Sequence, residues 1–293
     1  MHKLWKSLRW LLVVPTLAVV VGWLLLPWPF AHRWRNPEIT SFMEHRLERA
    51  RAEGRPYAIR HAWVPLEDVP PVVIRAVIDA EDGRFREHNG VDWTALGEEL
   101  HYGGEAPFSW FDPEDLKALW EAARYGWSHR SEVRGRSTIT QQLAKNLYFT
   151  PERTIGRKVA EYVVAWRLEW LLGKDRILEM YLNTAELGPG IFGVEAAAEE
   201  YFGTSVGGLG AWEAASLAAT LPHPLTSNPN HRPSQMAWRR DLIFRRLTAS
   251  GADRPELPPP PAELPPPDLT WPDSAPSSPD EDGAVRDTSG PPP

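Results

Sequence analysis

The sequence has no cysteine among its 293 residues. That absence excludes a disulfide framework, an iron–sulfur cluster and any cysteine-ligated zinc. It leaves the redox compartment open, since a chain without thiols suits either. A basic excess is missing as well: 32 Lys and Arg stand against 39 Asp and Glu, a net charge of -7. A dedicated nucleic-acid binder would show the opposite balance, so no nucleic acid is expected as a partner. The acidic surplus is confined to one end. Residues 252–293 carry nine acids and two bases, leaving 30 against 30 over residues 1–251. The same end holds 14 of the 30 prolines, so the remainder is far less proline-rich than the total suggests.

What the sequence does contain begins with an apolar run. Trp10 to Phe30 is 21 residues without a charge, which at helical rise spans about 30 Å, the thickness of a hydrocarbon core. Pro15 and Gly22 are tolerable in such a helix, and Trp10, Trp23, Trp28 and Trp34 suit interfacial positions. Lys3, Lys6 and Arg9 precede the run and Arg33 and Arg35 follow it, a small bias toward a cytoplasmic N-terminus. A cleaved signal peptide is the rival reading; the run is long for one, and no small-x-small site follows it. The expectation is an uncleaved signal anchor: residues 1–9 cytoplasmic, 10–30 crossing the membrane once, and everything after residue 35 outside the cytoplasm. At the other end, residues 251–293 have too few apolar side chains to offset the entropy of ordering and read as a disordered acidic, Pro-rich tail.

The middle reads as mainly α, a region of roughly 200 residues that is large enough for one good core. Residues 31–62 form a juxtamembrane helix and linker, with an amphipathic helix from Thr40 to Ala52 and a short strand pattern at Tyr57, Ile59 and Trp63. Pro70 and Pro71 open a helix that stops near Gly83. Ser137 is placed to cap a helix with the apolar stripe Ile139, Leu143 and Leu147. A longer helix from Thr154 to Leu172 is expected to turn Ile155, Val159, Val163 and Trp166 inward and to end at Gly173. Further helices fit 175–183, 194–202, 211–221 and 235–249.

Three polar clusters could carry chemistry. Glu81 and Asp82 sit where an apolar helix meets a glycine-interrupted loop holding Phe85 and His88, a setting in which a carboxylate can serve as a general base; alone, they would be ordinary acids at a solvated helix end. In Ser137-Thr138-Ile139-Thr140-Gln141-Gln142, followed by Lys145 and Asn146, hydrogen-bonding side chains crowd a helix N-terminus, which favours anions. Arg157 and Lys158 lie four and three residues before Glu161 on one helical face. Such a triad is usually a surface ion pair worth a few tenths of a kcal/mol. Here it has company, because Lys145, Arg153, Arg157 and Lys158 put four cations within 14 residues. Together they could hold a pyrophosphate beside an ionised carboxylate.

In order along the chain, residues 81–90 match ED-x-x-F-x-x-H-x-G, 135–146 match G-x-STITQQL-x-KN and 157–161 match RK-x-x-E; DRILEMYLN at 175–183 and GPGIFGVEAAAEEYFG at 188–203 complete the set. On these motifs the sequence closely resembles the family-51 peptidoglycan glycosyltransferases, of the monofunctional Gram-negative type. The resemblance runs from about Trp63 to Leu247.

The resemblance implies a lysozyme-like helical head over residues 63–250 with a small membrane-facing jaw, placed at 91–134, and one preceding transmembrane helix. It implies polymerisation of lipid II into β-1,4-linked glycan strands, with inversion and release of undecaprenyl pyrophosphate, for cell wall biosynthesis. Glu81 matches the general base and Glu161 the second essential glutamate. Lys145 and Arg153 match binders of the donor pyrophosphate, joined on that side by Ser137, Thr138, Gln141, Gln142, Asn146, Arg157 and Lys158. Asp82, Phe85 and His88 would shape the acceptor side. A divalent ion, Mg2+ or Mn2+, near Glu161 is left open, and no other cofactor is implied. The implied partners are lipid II, the growing glycan, the inner membrane, penicillin-binding proteins and divisome components, with the catalytic domain in the periplasm. A lysozyme-like glycan-cleaving enzyme and a non-catalytic lipid II-binding scaffold are the alternatives. Between Gly90 and Gly135 the chain is longer than the family usually is. There Phe108, Trp110 and Phe111 precede a helix whose apolar face is Leu116, Leu119, Trp120 and Ala123, expected either to rest on a bilayer or to pack on the domain.

Overall fold

The computed structural model describes residues 13–14, 16–17, 20–104, 112–129, 137–152 and 154–249. Most of the first half of the expected anchor, Phe108, Trp110, Phe111, Gly135, Arg136, Arg153 and the tail lie outside the described residues. Residues 20–25 are helical, and no helix among the described residues is long and apolar enough to cross a membrane.

Helices dominate, and most begin where the sequence supplies a cap or a proline. Thr40 accepts from the Met43 amide to open α1 (Ser41–Ala52). Pro71, its φ already suited to a first turn, starts α2 (Pro71–Glu81). Asp92 caps α3 (Trp93–Glu99) and Asp112 caps α4 (Pro113–Ser128). The cap of α5 (Ile139–Tyr148) is Thr138, whose hydroxyl accepts from the Gln141 amide. Ser137, the expected cap, is one residue too early, and its hydroxyl is engaged by Lys158 at 2.8 Å instead. Thr154 caps α6 (Ile155–Leu172), and Gly173, at φ 76°, turns the chain directly into α7 (Lys174–Thr184). The remaining helices are α8 (Val194–Phe202), α9 (Ala211–Thr220) and α10 (Pro233–Thr248).

The sheet is small: β1 (Arg60–His61), β2 (Glu186–Gly188) and β3 (Ile191–Phe192), in the order β1-β3-β2. β1 runs parallel to β3, with Arg60 opposite Ile191, and β2 runs antiparallel to it. The strand expected around 57–63 therefore shrinks to the two residues that find a partner.

The core lies between α2, α5, α7 and α9, with Val73, Ala76 and Val77 meeting Ile139, Leu143, Ile177, Leu178, Ala214, Leu217 and Ala218, all buried. Small side chains on α9 let it pack against both α2 and α10. Each large aliphatic side chain buried here contributes about 1.5–3 kcal/mol.

In α6 the inward face differs from expectation. Val159 and Trp166 are 58% and 50% exposed, and Trp166 stacks on Trp170 at the surface. The buried stripe is Glu161, Val164, Ala165 and Leu168, at i, i+3, i+4 and i+7. This helix is apolar on two faces, so periodicity could not choose between them. The choice falls to the face with Glu161, whose carboxylate meets cations from its own helix.

Arg167, beside that stripe, is fully buried. Its guanidinium lies over the rings of Trp23 and Trp28 at 4.7 and 3.9 Å. It donates to the carbonyls of Leu26 at 2.6 Å and Pro27 at 3.0 Å, and to that of Trp23. Arg176 donates to the His32 and Arg35 carbonyls and to Asn36, and Arg33 to the Leu171 carbonyl. The segment following the apolar run is thus fastened to α6 and α7. In α4 the buried side is Asp115 and Ala122, while Leu116, Leu119, Trp120 and Trp127 are exposed; the apolar face points away from the domain.

Candidate active site

Glu81 is the last residue of α2, and its side chain is one-tenth exposed. Helix α2 stops there because Asp82 leaves helical geometry at φ -159° and its carboxylate turns to two other donors. One oxygen takes the Ile139 amide at 3.0 Å, the other His88 Nε2 at 2.9 Å. Asp82 thereby satisfies an orphan amide at the start of α5 and fixes that helix against the end of α2. Both oxygens of Glu81 are held. Oε1 accepts from Arg239 Nη2 at 3.0 Å and Oε2 from Gln142 Nε2 at 2.9 Å. Gln142 is oriented in turn by Tyr181, whose hydroxyl donates to Gln142 Oε1 at 2.9 Å. Burial, and then the nearby Glu81 charge, push the Tyr181 phenol well above its ordinary range, so it remains a donor.

The cation side begins one bond away. Gln142 Nε2 also donates to the Ser137 carbonyl at 3.2 Å, and the Ser137 hydroxyl accepts from Lys158 Nζ at 2.8 Å. Lys158 stands 3.2 Å from Glu161 Oε2, and Arg157 pairs with the other oxygen. Glu161 itself is 2% exposed. Burial first, then repulsion from Lys145 and Arg157, bring the Lys158 ammonium down to about 8. Lys145 shares this field, with Nζ 5.7 Å from the centre of the Phe42 ring on α1. Arg46 also lies by that ring, 5.0 Å from its centre, and grips Glu186 with two bonds of 2.9 and 2.7 Å. Burial raises the Glu186 carboxyl, against the pull of Arg46 and Lys145.

One hydrogen-bonded chain therefore runs Glu81–Gln142–Ser137–Lys158–Glu161, joining an acid at a helix end to a cluster of cations. It can hold a proton acceptor and an anion at neighbouring points. Of the expected residues, Glu81, Gln142, Ser137, Lys145, Arg157, Lys158 and Glu161 are brought together in this way; Gln142 is on the Glu81 side. Arg153 lies outside the described residues. Thr138 and Gln141 are buried and both bond the Gly90 carbonyl, at 2.7 and 3.2 Å, and Asn146 is buried too. All three were expected to line a donor site; the Thr138 hydroxyl and the Gln141 amide nitrogen are engaged on that carbonyl. Phe85, expected on the acceptor side, is completely buried, with Lys174 Nζ 4.3 Å from its ring centre. The glycine of the first motif has a steric reason: at φ 84°, a side chain on Gly90 would meet the Ala165 carbonyl carbon at 3.3 Å.

Glu161, beside which a divalent ion was left open, is shared by Arg157 and Lys158. Among the described residues the acids and histidine that converge are Asp82, His88 and Asp92, within 4.8 Å. Asp82 is engaged as above and Asp92 on Arg84 at 3.0 and 2.7 Å, while His88 Nδ1 is buried without a hydrogen-bond partner. Arg239, Tyr181, Arg46 and Glu186 escaped the reading of the sequence. Each reaches its partner from a distant part of the chain and carries no local signal.

Comparison with known proteins bears on this site. The family model described as Transglycosylase matches residues 48–102 and 112–248, which includes α4 and omits residues 103–111. The chain is 39% identical over 254 residues to a biosynthetic peptidoglycan transglycosylase of Janthinobacterium sp. (strain Marseille), covering 85% of this chain and 99% of that relative. A protein of the same description from Herminiimonas arsenicoxydans is 38% identical over 84% of this chain and 97% of its own length. Another from Azoarcus sp. (strain BH72) is 39% identical over 88% and 100%.

Proposed function

The chain belongs to the transglycosylase family, and from that premise we propose that it is a peptidoglycan glycosyltransferase that polymerises lipid II for cell wall biosynthesis. What supports this reading is the bonded chain from Glu81 to Glu161, with the candidate base at one end and Arg157 and Lys158 at the other. In this reading Glu81 takes the proton from the 4-hydroxyl of the acceptor sugar. The hydroxyl oxygen bonds to the anomeric carbon of the donor as the bond from that carbon to the pyrophosphate breaks. The leaving electron pair ends on a phosphate oxygen, where Lys145, Lys158, Arg157 and Arg153 offset the developing charge. A displacement with base and leaving group on opposite faces inverts the anomeric centre, the geometry reasoned for inverting glycosidases. Glu161 keeps Arg157 and Lys158 in place. Asp82 and His88 hold the base end of α2 against α5.

The same reading takes residues 63–250 as the glycosyltransferase domain, with a lysozyme-like head and a jaw at 91–134, anchored once in the inner membrane by residues 10–30 and facing the periplasm. Exposed Leu116, Leu119, Trp120 and Trp127 on α4, and Val159, Trp166 and Trp170 on α6, support contact with a bilayer, since contiguous apolar faces on soluble surfaces are uncommon. Substrate and product both carry a lipid, so tethering raises their local concentration. Penicillin-binding proteins and divisome components fit as partners of such an enzyme.

The test is incubation of the detergent-solubilised protein with labelled lipid II. Polymer that lysozyme digests, abolished by Glu81→Gln, is expected. Consumption of preformed glycan without polymer would mean a hydrolase, and lipid II binding without turnover a scaffold; either overturns the reading.

A further inference from the structure

Arg239 belongs to none of the motifs that carry the family resemblance, yet it is the one cation that bonds Glu81 among the described residues. It comes from α10, 158 residues further along the chain, and its side chain is as buried as that of Glu81, each 10% exposed. Nη2 donates twice, to Glu81 Oε1 at 3.0 Å and to the Ala80 carbonyl at 2.8 Å. The second bond matters for the first. Ala80 is in the last turn of α2, where carbonyls lack helical partners, so the guanidinium is tied to the helix end whatever Glu81 does.

From this geometry we infer that Arg239 is a positioning residue for the proposed base, an inference that rests on the reading of Glu81 above. A glutamate at a helix C-terminus has free rotation about its side-chain bonds and points toward the negative end of the helix dipole. Arg239 and Gln142 remove that freedom from two directions. One oxygen is held from α10 and the other from α5, which leaves a lone pair on each for the sugar hydroxyl. A buried ion pair of this kind is weak evidence of net stabilisation, whereas holding a base within reach of the hydroxyl has a direct effect on rate. The face of α10 that bears Arg239 also lies against α2, so its own backbone is fixed.

The experiment is steady-state kinetics of lipid II polymerisation with the full chain in detergent, for Arg239→Gln, Arg239→Lys and Glu81→Gln. Arg239→Gln is expected to lower kcat on the order of 100-fold, the scale of a small misplacement of a catalytic group, with KM for lipid II nearly unchanged. Arg239→Lys, which can reach the same oxygen, is expected to recover a substantial part of kcat. Combining Arg239→Gln with Glu81→Gln should cost nothing beyond Glu81→Gln alone. A thermal melt run alongside separates misfolding from mispositioning, because the lysine variant must match the glutamine variant in melting temperature while exceeding it in kcat. Equal kcat for wild type and Arg239→Gln, or no gain with lysine at matched stability, overturns the inference. Retained activity of Glu81→Gln overturns the base assignment itself, a separate result.

Discussion

Lys158 is a cation whose charge lies close to being lost just above neutral pH. Burial and two neighbouring positive charges bring it from its usual 10.5 down to about 8. At that value about nine-tenths of the side chain is charged at pH 7 and about one-tenth at pH 9. A ligand that recognises only the charged form therefore loses about tenfold in affinity between those two values. Lys158→Arg removes the effect, because a guanidinium stays charged throughout. The assay is fluorescence anisotropy of a labelled lipid-linked phosphodiester, which does not itself titrate in this range, at pH 7, 8 and 9. Stability moves the other way and so cannot mimic the result. Unfolded lysine holds its proton up to about 10.4, so between about 8 and that value the unfolded chain binds more protons and stability rises with pH. Flat binding in the wild type, or the same slope in the arginine variant, would refute the placement of Lys158 in the anion site.

Other expectations can be checked with standard measurements. Gly90→Ala should destabilise the fold by about 1–2 kcal/mol from left-handed backbone alone, and more from the Ala165 contact, seen as a lower melting temperature. Asp82→Ala should cost about 1–2 kcal/mol as a lost cap on α5 and also lower kcat, through the shift between α2 and α5; a variant with normal melting and normal turnover would contradict it. Arg167→Met should free the carbonyls of Leu26 and Pro27 and make Arg33 and Arg35 cut sooner by trypsin, read as a faster loss of intact chain on a gel. Replacing Trp120 and Trp127 with Ser should reduce partitioning to liposomes without changing melting; unchanged partitioning would count against a bilayer contact at α4.

The ends of the helices were legible in the sequence, because caps and prolines act locally. Thr40, Pro71 and Thr154 each mark a start that the fold keeps, while the cap expected at Ser137 falls to its neighbour Thr138. The acid at position 81 and the triad at 157–161 were legible as well, since spacing on one helix decides which of those groups can meet. Face selection was not. Helix α6 offers two apolar stripes, and the contacts of Arg167 with the backbone of residues 23–27 involve tertiary packing that no window of sequence contains. The support of Glu81 was hidden for the same reason. Arg239 looks like one more base in an amphipathic helix until α10 is laid against α2, and Tyr181 looks like one more core aromatic until its hydroxyl finds Gln142. The partner that Thr138 and Gln141 share, the Gly90 carbonyl, was hidden as well, since it comes from 48 and 51 residues away.

The fastening of residues 23–36 has a consequence for how the enzyme meets its substrate. Arg33, Arg167 and Arg176 leave almost no slack between the end of the apolar run and the first turns of α6 and α7. A loosely leashed domain would sweep a hemisphere and present its cleft at random heights. Under the proposed anchoring, a bolted one would keep a fixed stand-off and heading, so that a lipid-borne sugar arriving by lateral diffusion would meet the opening at a constant level, the stalk working as a ruler.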